Sequence, residues 1–135
     1  MMTLTRRYRF AASHRLNTDA LTPEQNARLY GKCNNPFGHG HDYILDVTLE
    51  GAPGASGQIV QREALDQCVT QQVLRRLDHR NLNCDVPELR GKVATTENLA
   101  LAIESMLKAG WTLPAKLARV RISETDRNAF LLETR

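Results

Sequence analysis

The stretch CNNPFGHGHD at residues 33–42 sets two imidazoles, His39 and His41, two residues apart, with a thiol, Cys33, six residues upstream. Histidines at i and i+2 leave an extended chain on the same side. Three neutral imidazoles with a fourth position open make a catalytic zinc site, whereas structural zinc is normally closed by four ligands rich in cysteine. His14, at the end of another extended run, is the residue that would complete such a set. An isolated H-x-H is more often a hydrogen-bonded pair, so the case rests on what brings the three together.

Residues 4–14 alternate. Leu4, Tyr8, Phe10, Ala12 and His14 share one face, and Thr5, Arg7, Arg9 and Ser13 the other, the period of a half-buried strand. Residues 39–50 repeat the pattern, with His39, His41, Tyr43, Leu45, Val47 and Leu49 opposite Asp42, Asp46, Thr48 and Glu50. All three histidines therefore end apolar faces, and they converge if the two strands are antiparallel neighbours. Between the strands lies a long polar loop punctuated by Pro23, Gly31, Pro36 and Gly38, with a helical turn after Thr22.

From Arg62 the period becomes helical, with Leu65, Val69, Val73, Leu74 and Leu77 as the stripe, after the turn GAPGASG and a short strand near 57–61. A second helix starts at TTEN, residues 95–98, and stops at Gly110. KLARVRISE and NAFLLET close the chain as strands. The simplest solution is an α+β fold: an antiparallel four-stranded sheet with two helices packed on one face.

Three further groups bear on chemistry. Cys33 can act as base or nucleophile if a metal or histidine lowers its pKa, or as a fourth ligand that closes the site; its spacing allows both. Asp78 and His79 adjoin at a helix-to-loop corner, where such a pair is either a helix cap or a proton relay. Glu124 follows Val120 and Ile122 on a core face, and a buried anion needs a partner. A ligand with two adjacent N–H donors would supply one bidentately, unless the strand has ended and the carboxylate is solvated.

The 135 residues suit a single domain, 1–135, and an apolar fraction of 41% with 24% charged residues excludes a disordered chain. The net charge of +3 is scattered, without the basic stripe of a nucleic-acid reader, though a phosphorylated small molecule fits. No apolar run reaches the length of a membrane span, and MMTLTRRYRF lacks the apolar core of an export signal. Three cysteines without framework spacing argue against disulfides, and a cytoplasmic location is expected.

FAASHRL, CNNPFGHGHDY, LDHRNLN, TTENLA and ISETDRNAF, in this order across nearly the whole chain, resemble the 6-pyruvoyltetrahydropterin synthase and 6-carboxytetrahydropterin synthase family. The resemblance implies the tunnelling fold, a homohexamer built as a dimer of trimers, and active sites at subunit interfaces. It implies zinc on His14, His39 and His41, and Cys33 as general base. Asp78 and His79 of a neighbouring subunit would relay protons, Glu124 would anchor the pterin, and Thr95, Thr96 and Glu97 would help bind it. The implied reaction is conversion of 7,8-dihydroneopterin triphosphate to 6-pyruvoyltetrahydropterin with loss of triphosphate. Five residues between Cys33 and His39 match the 6-pyruvoyl branch; the 6-carboxy branch of queuosine synthesis typically has three. The alternatives are that 6-carboxy enzyme and a non-catalytic, zinc-stabilised pterin-binding protein.

Overall fold

In the computed structural model, which describes residues 1–134, both alternating runs are strands. β1 (Met2–His14) and β2 (His39–Gly51) pair antiparallel along their full length, from Met2 opposite Gly51 to His14 opposite His39. β3 (Arg80–Asn81) lies parallel to the end of β1, with Ala12 opposite Arg80. β4 (Lys116–Ser123) joins the free side of β2, and β5 (Ala129–Glu133) joins β4, both antiparallel. The sheet order is β3-β1-β2-β4-β5, so the sheet has five strands where four antiparallel ones were expected. Two residues carry no readable period, which is why β3 escapes the pattern. The strand expected near 57–61 does not form: Gly54 N–H donates to Gln58 O and Gly57 N–H to Gly54 O, closing that segment on itself.

α1 (Pro23–Tyr30) fills part of the loop between β1 and β2. Its N-cap Thr22 and Gln25 form a capping box, each side chain accepting from the other's backbone N–H. The next helical stretch runs as α2 (Arg62–Val69), a π-turn (Thr70–Leu74) and α3 (Arg75–Leu77). Leu65, Val69, Val73 and Leu77 are all fully buried at a strict spacing of four. At 3.6 residues per turn, each such step carries the stripe about 40° around the axis. The wider π-turn takes up that drift and keeps the stripe on the sheet. Arg6 on β1 fixes the helix laterally through a bidentate pair with Asp66 (2.6 and 2.8 Å), and the Tyr8 hydroxyl donates to the same carboxylate.

α4 (Thr96–Ala109), N-capped by Thr95, supplies Leu99, Ile103, Met106 and Leu107 to one core with Leu45, Val47, Val120 and Ile122 of the sheet. Each such side chain contributes about 1.5–3 kcal/mol by leaving water. The helices thus cover one face of the sheet, as the alternation requires.

The other face is not simply solvated. Asp46, expected on the polar side, has only 9% of its side chain exposed. Arg7 donates to it twice, at 2.8 and 3.1 Å, and Arg121 approaches at 3.4 Å. The hydrogen bonds from Arg7 hold the Asp46 carboxyl below its ordinary value, against the opposing effect of burial. A depressed folded-state pKa stabilises the fold above the unfolded-state value near 3.8, and that contribution is lost as pH falls through the folded value. Asp46→Asn should therefore cost about 1–3 kcal/mol near neutral pH. The gap between variant and parent in urea melts should narrow below pH 4; a gap independent of pH would show that the ion pair is not its source.

Candidate metal centre and active site

The register of β1 and β2 sets His14 directly opposite His39 and Ala12 opposite His41, all on the helix-covered face. The loop between the strands returns Cys33 to the same place. Buried Asn26 knits its first half, accepting from Thr18 N–H and donating to the Thr18, Leu21 and Thr22 carbonyls. The 3-10 turn Gly31–Asn34 then carries the thiol, clamped beside His14 because Leu16 N–H donates to Cys33 O at 2.7 Å and Asn34 Nδ2 donates to Leu16 O. Gly38 lets the chain re-enter β2. Its φ of +81° is left-handed, and a Cβ there would stand 2.8 Å from the His14 carbonyl oxygen, so no other residue fits without movement.

Ligand atoms of His14, Cys33, His41 and Glu124 all lie within 4.8 Å of one another. His41 Nε2 is the hub: 2.8 Å from Glu124 Oε1, 3.1 Å from His14 Nε2 and 3.6 Å from Cys33 Sγ. His14 is fully buried, and its Nδ1–H donates to the Ala94 carbonyl at 2.8 Å, which leaves the Nε2 lone pair facing the cluster. Burial pushes both imidazoles below their ordinary pKa, more than the Glu124 charge raises them, so they are neutral at pH 7. The His41–Glu124 contact is then a hydrogen bond from neutral imidazole. One N–H cannot serve three acceptors, and the remaining lone pairs face one another. Such a set fits a bound cation: two neutral nitrogens, a thiol and a carboxylate, with one imidazole already oriented by a backbone carbonyl.

Burial, and next the Glu124 charge, raise the Cys33 thiol above its ordinary pKa, so it keeps its proton unless positive charge is placed beside it. Glu124 lies one residue past the end of β4, yet only 19% of its side chain is exposed. Its Oε2 accepts from the buried Thr96 hydroxyl. The carboxylate is therefore neither solvated nor without partners: Thr96 and His41 hold it.

The other expected residues are placed differently. His39 lies edge-on to His41, with ring centroids 4.7 Å apart, and half-buried, but its nitrogens are outside the four-atom cluster. Thr95 caps α4 by accepting from Asn98 N–H, and Glu97 is exposed in its first turn. Asp78 accepts from Ala11 N–H at 2.9 Å and lies 3.1 Å from His79 Nδ1, while His79 is 82% exposed with φ +60°. The pair adjoins the edge of β1 rather than the thiol of its own chain, and His79 shares a cleft of about 540 Å³ with His41 and Asp42.

Two participants were not foreseen. The Ala94 carbonyl leaves no mark in a sequence. Tyr43 left one, lying two residues beyond His41 on the same face. Its ring stacks on Phe10 at 5.1 Å and meets His41 edge-on at 5.7 Å. Because His41 Nε2 contacts every other ligand atom, His41→Ala should abolish stoichiometric zinc binding in titrations of the purified protein. The buried stripes should keep its metal-free melting temperature within a few degrees of the parent, and undiminished zinc binding would rule out a centre at this cluster.

Residues 3–134 match the family described as 6-pyruvoyl tetrahydropterin synthase. A 6-pyruvoyl tetrahydrobiopterin synthase of Poecilia reticulata is 44% identical over 128 residues, covering 93% of this chain and 85% of the relative. The synthase of that name from Homo sapiens is 42% identical over 127 residues, covering 93% and 86%. The solved structure of Caenorhabditis elegans 6-pyruvoyl tetrahydropterin synthase superposes with a TM-score of 0.91 at 36% identity, covering 99% of this chain and 96% of that one. With the sheet, the returning loop and the imidazole–thiol–carboxylate cluster all in place, this chain belongs to the 6-pyruvoyl tetrahydropterin synthase family.

Proposed function

We propose that the protein is a zinc-dependent lyase that converts 7,8-dihydroneopterin triphosphate to 6-pyruvoyltetrahydropterin, eliminating triphosphate. The observation that carries this reading is the meeting of Cys33 with two neutral imidazoles and an anchored carboxylate, in a chain of this family. His14, His39 and His41 hold the metal. The position of His39 directly across from His14 supports its place in the set. Zinc held there would supply Lewis acidity toward the substrate's side-chain oxygens and positive charge that would favour a Cys33 thiolate.

Glu124 receives the adjacent ring N–H and amino group of the pterin, its carboxylate aimed by Thr96. Thr95 and Glu97, at the same helix start, border the pterin. Cys33 removes the carbon-bound proton and His79, oriented by Asp78, returns one elsewhere. The exposure of the His79 side chain supports delivery to the site of a neighbouring subunit. A homohexamer formed as a dimer of trimers would provide that neighbour, and β5 and most of β1 have outer edges unpaired among the described residues. No helix among the described residues is long and apolar enough to cross a membrane, and three free thiols suit a cytoplasmic location.

Incubation with dihydroneopterin triphosphate and identification of products tests the reaction. We expect 6-pyruvoyltetrahydropterin and triphosphate; a two-carbon aldehyde among the products would assign the 6-carboxy reaction instead. Cys33→Ala should keep zinc and lose about 10²-fold or more in turnover, whereas loss of zinc would make Cys33 a ligand. His39→Ala should lose zinc, and full occupancy would restrict the metal set to the four-atom cluster. Mixing inactive Cys33→Ala and His79→Ala subunits under exchange should restore activity if each site draws on two chains. No recovery in verified mixed oligomers would place both residues in one chain's site.

A further inference from the structure

Both His14 and Glu124 are held by one short segment, residues 93–98, at the start of α4. Ala94 is the centre of a three-residue turn closed by Thr95 N–H donating to Val93 O at 2.8 Å. Its carbonyl faces out of that turn and accepts from His14 Nδ1. Two residues later Thr96 grips Glu124. A three-residue turn with a single hydrogen bond is a weak device for fixing a carbonyl at the back of a buried imidazole.

Asn98 adds what the turn lacks. Its Nδ2 donates to the same Val93 carbonyl at 2.7 Å, while its backbone N–H donates to the Thr95 hydroxyl at 3.2 Å. Val93 O thus receives two donors, and the turn is tied to the first turn of the helix at both ends. Were that tie cut, residues 93–95 could turn away, and His14 Nδ1 would lose its close acceptor, keeping only the Tyr43 hydroxyl at 3.5 Å. The buried ring would then be free to carry its proton on Nε2, the nitrogen that faces the cluster.

We propose that Asn98 is a positioning residue of the metal centre, acting through Val93 and Ala94 to keep the His14 Nε2 lone pair available for metal. The inference rests on the metal site read above, but the tautomer of His14 is observable without metal. The test compares the parent with Asn98→Asp and Asn98→Ala. Asp keeps the shape, cannot donate to Val93 O, and is favoured in the first turn of a helix, so folding should survive. Long-range proton–nitrogen NMR of the metal-free protein should show His14 protonated on Nδ1 in the parent and on a mixture of nitrogens, or on Nε2, in both variants. Zinc affinity, measured by competition with a chelator, should fall about tenfold or more, as for other residues that orient a ligand from behind. An unchanged tautomer in Asn98→Asp would overturn the proposal, whatever the affinity. If the parent itself binds no zinc, the metal reading fails while the tautomer comparison still decides the role of Asn98.

Discussion

Everything at the site depends on the register between β1 and β2. Thirteen residue pairs run without interruption from Met2 and Gly51 to His14 and His39. Side chains alternate along a strand, so a slip of one residue would move every side chain of one partner to the other face. Such a slip would expose Phe10 or Tyr43 to water and separate the imidazoles from one another. The stacked pair Phe10–Tyr43 and the buried leucines of β2 specify the register thermodynamically, and the histidines inherit their placement from it. Metal chemistry need not contribute to the choice of fold; an apolar face extended by one more turn of alternation delivers it.

The cluster also shows how a polar group is kept at the end of an apolar layer. Sheet and helix meet there, and the chain entering α4 offers the Ala94 carbonyl, ahead of the helix's own hydrogen-bond ladder, and the first-turn hydroxyl of Thr96. His14 and Glu124 take their partners from that source. Among the described residues no fully buried side-chain nitrogen or oxygen lacks a neighbour at hydrogen-bond distance, the cluster included. Its remaining tension is local: four ligand atoms crowd together with too few protons among them.

What could be read in advance divides along physical lines. Strands β1 and β2, the stripe of Leu65, Val69, Val73 and Leu77, and the start and stop of α4 were legible because each has a period or a cap. The convergence of His14 with His41 followed from facing once the two strands were taken as antiparallel neighbours. β3 was not legible, since two residues have no period, and the environment of Asp46 was not, since its arginines come from strands 39 and 75 residues away. Glu124 was placed on the right side, but its grip by Thr96 depends on where a helix starts in space. Sequence patterns report the face a residue occupies; they do not report the partner waiting there.

His79 carries one more consequence. A φ of +60° puts it in the left-handed region, which costs a side-chain-bearing residue about 1–2 kcal/mol relative to glycine. Its N–H is spent on the Ala11 carbonyl, so the backbone cannot relax without releasing the corner from β1. The position would be more comfortable, and the whole fold more stable, with glycine or asparagine. At such a corner random substitution finds stability by discarding the imidazole. Stabilised variants selected only for folding should therefore accumulate replacements at His79 early, and a library screened for heat resistance alone would erode this corner before it touched the core.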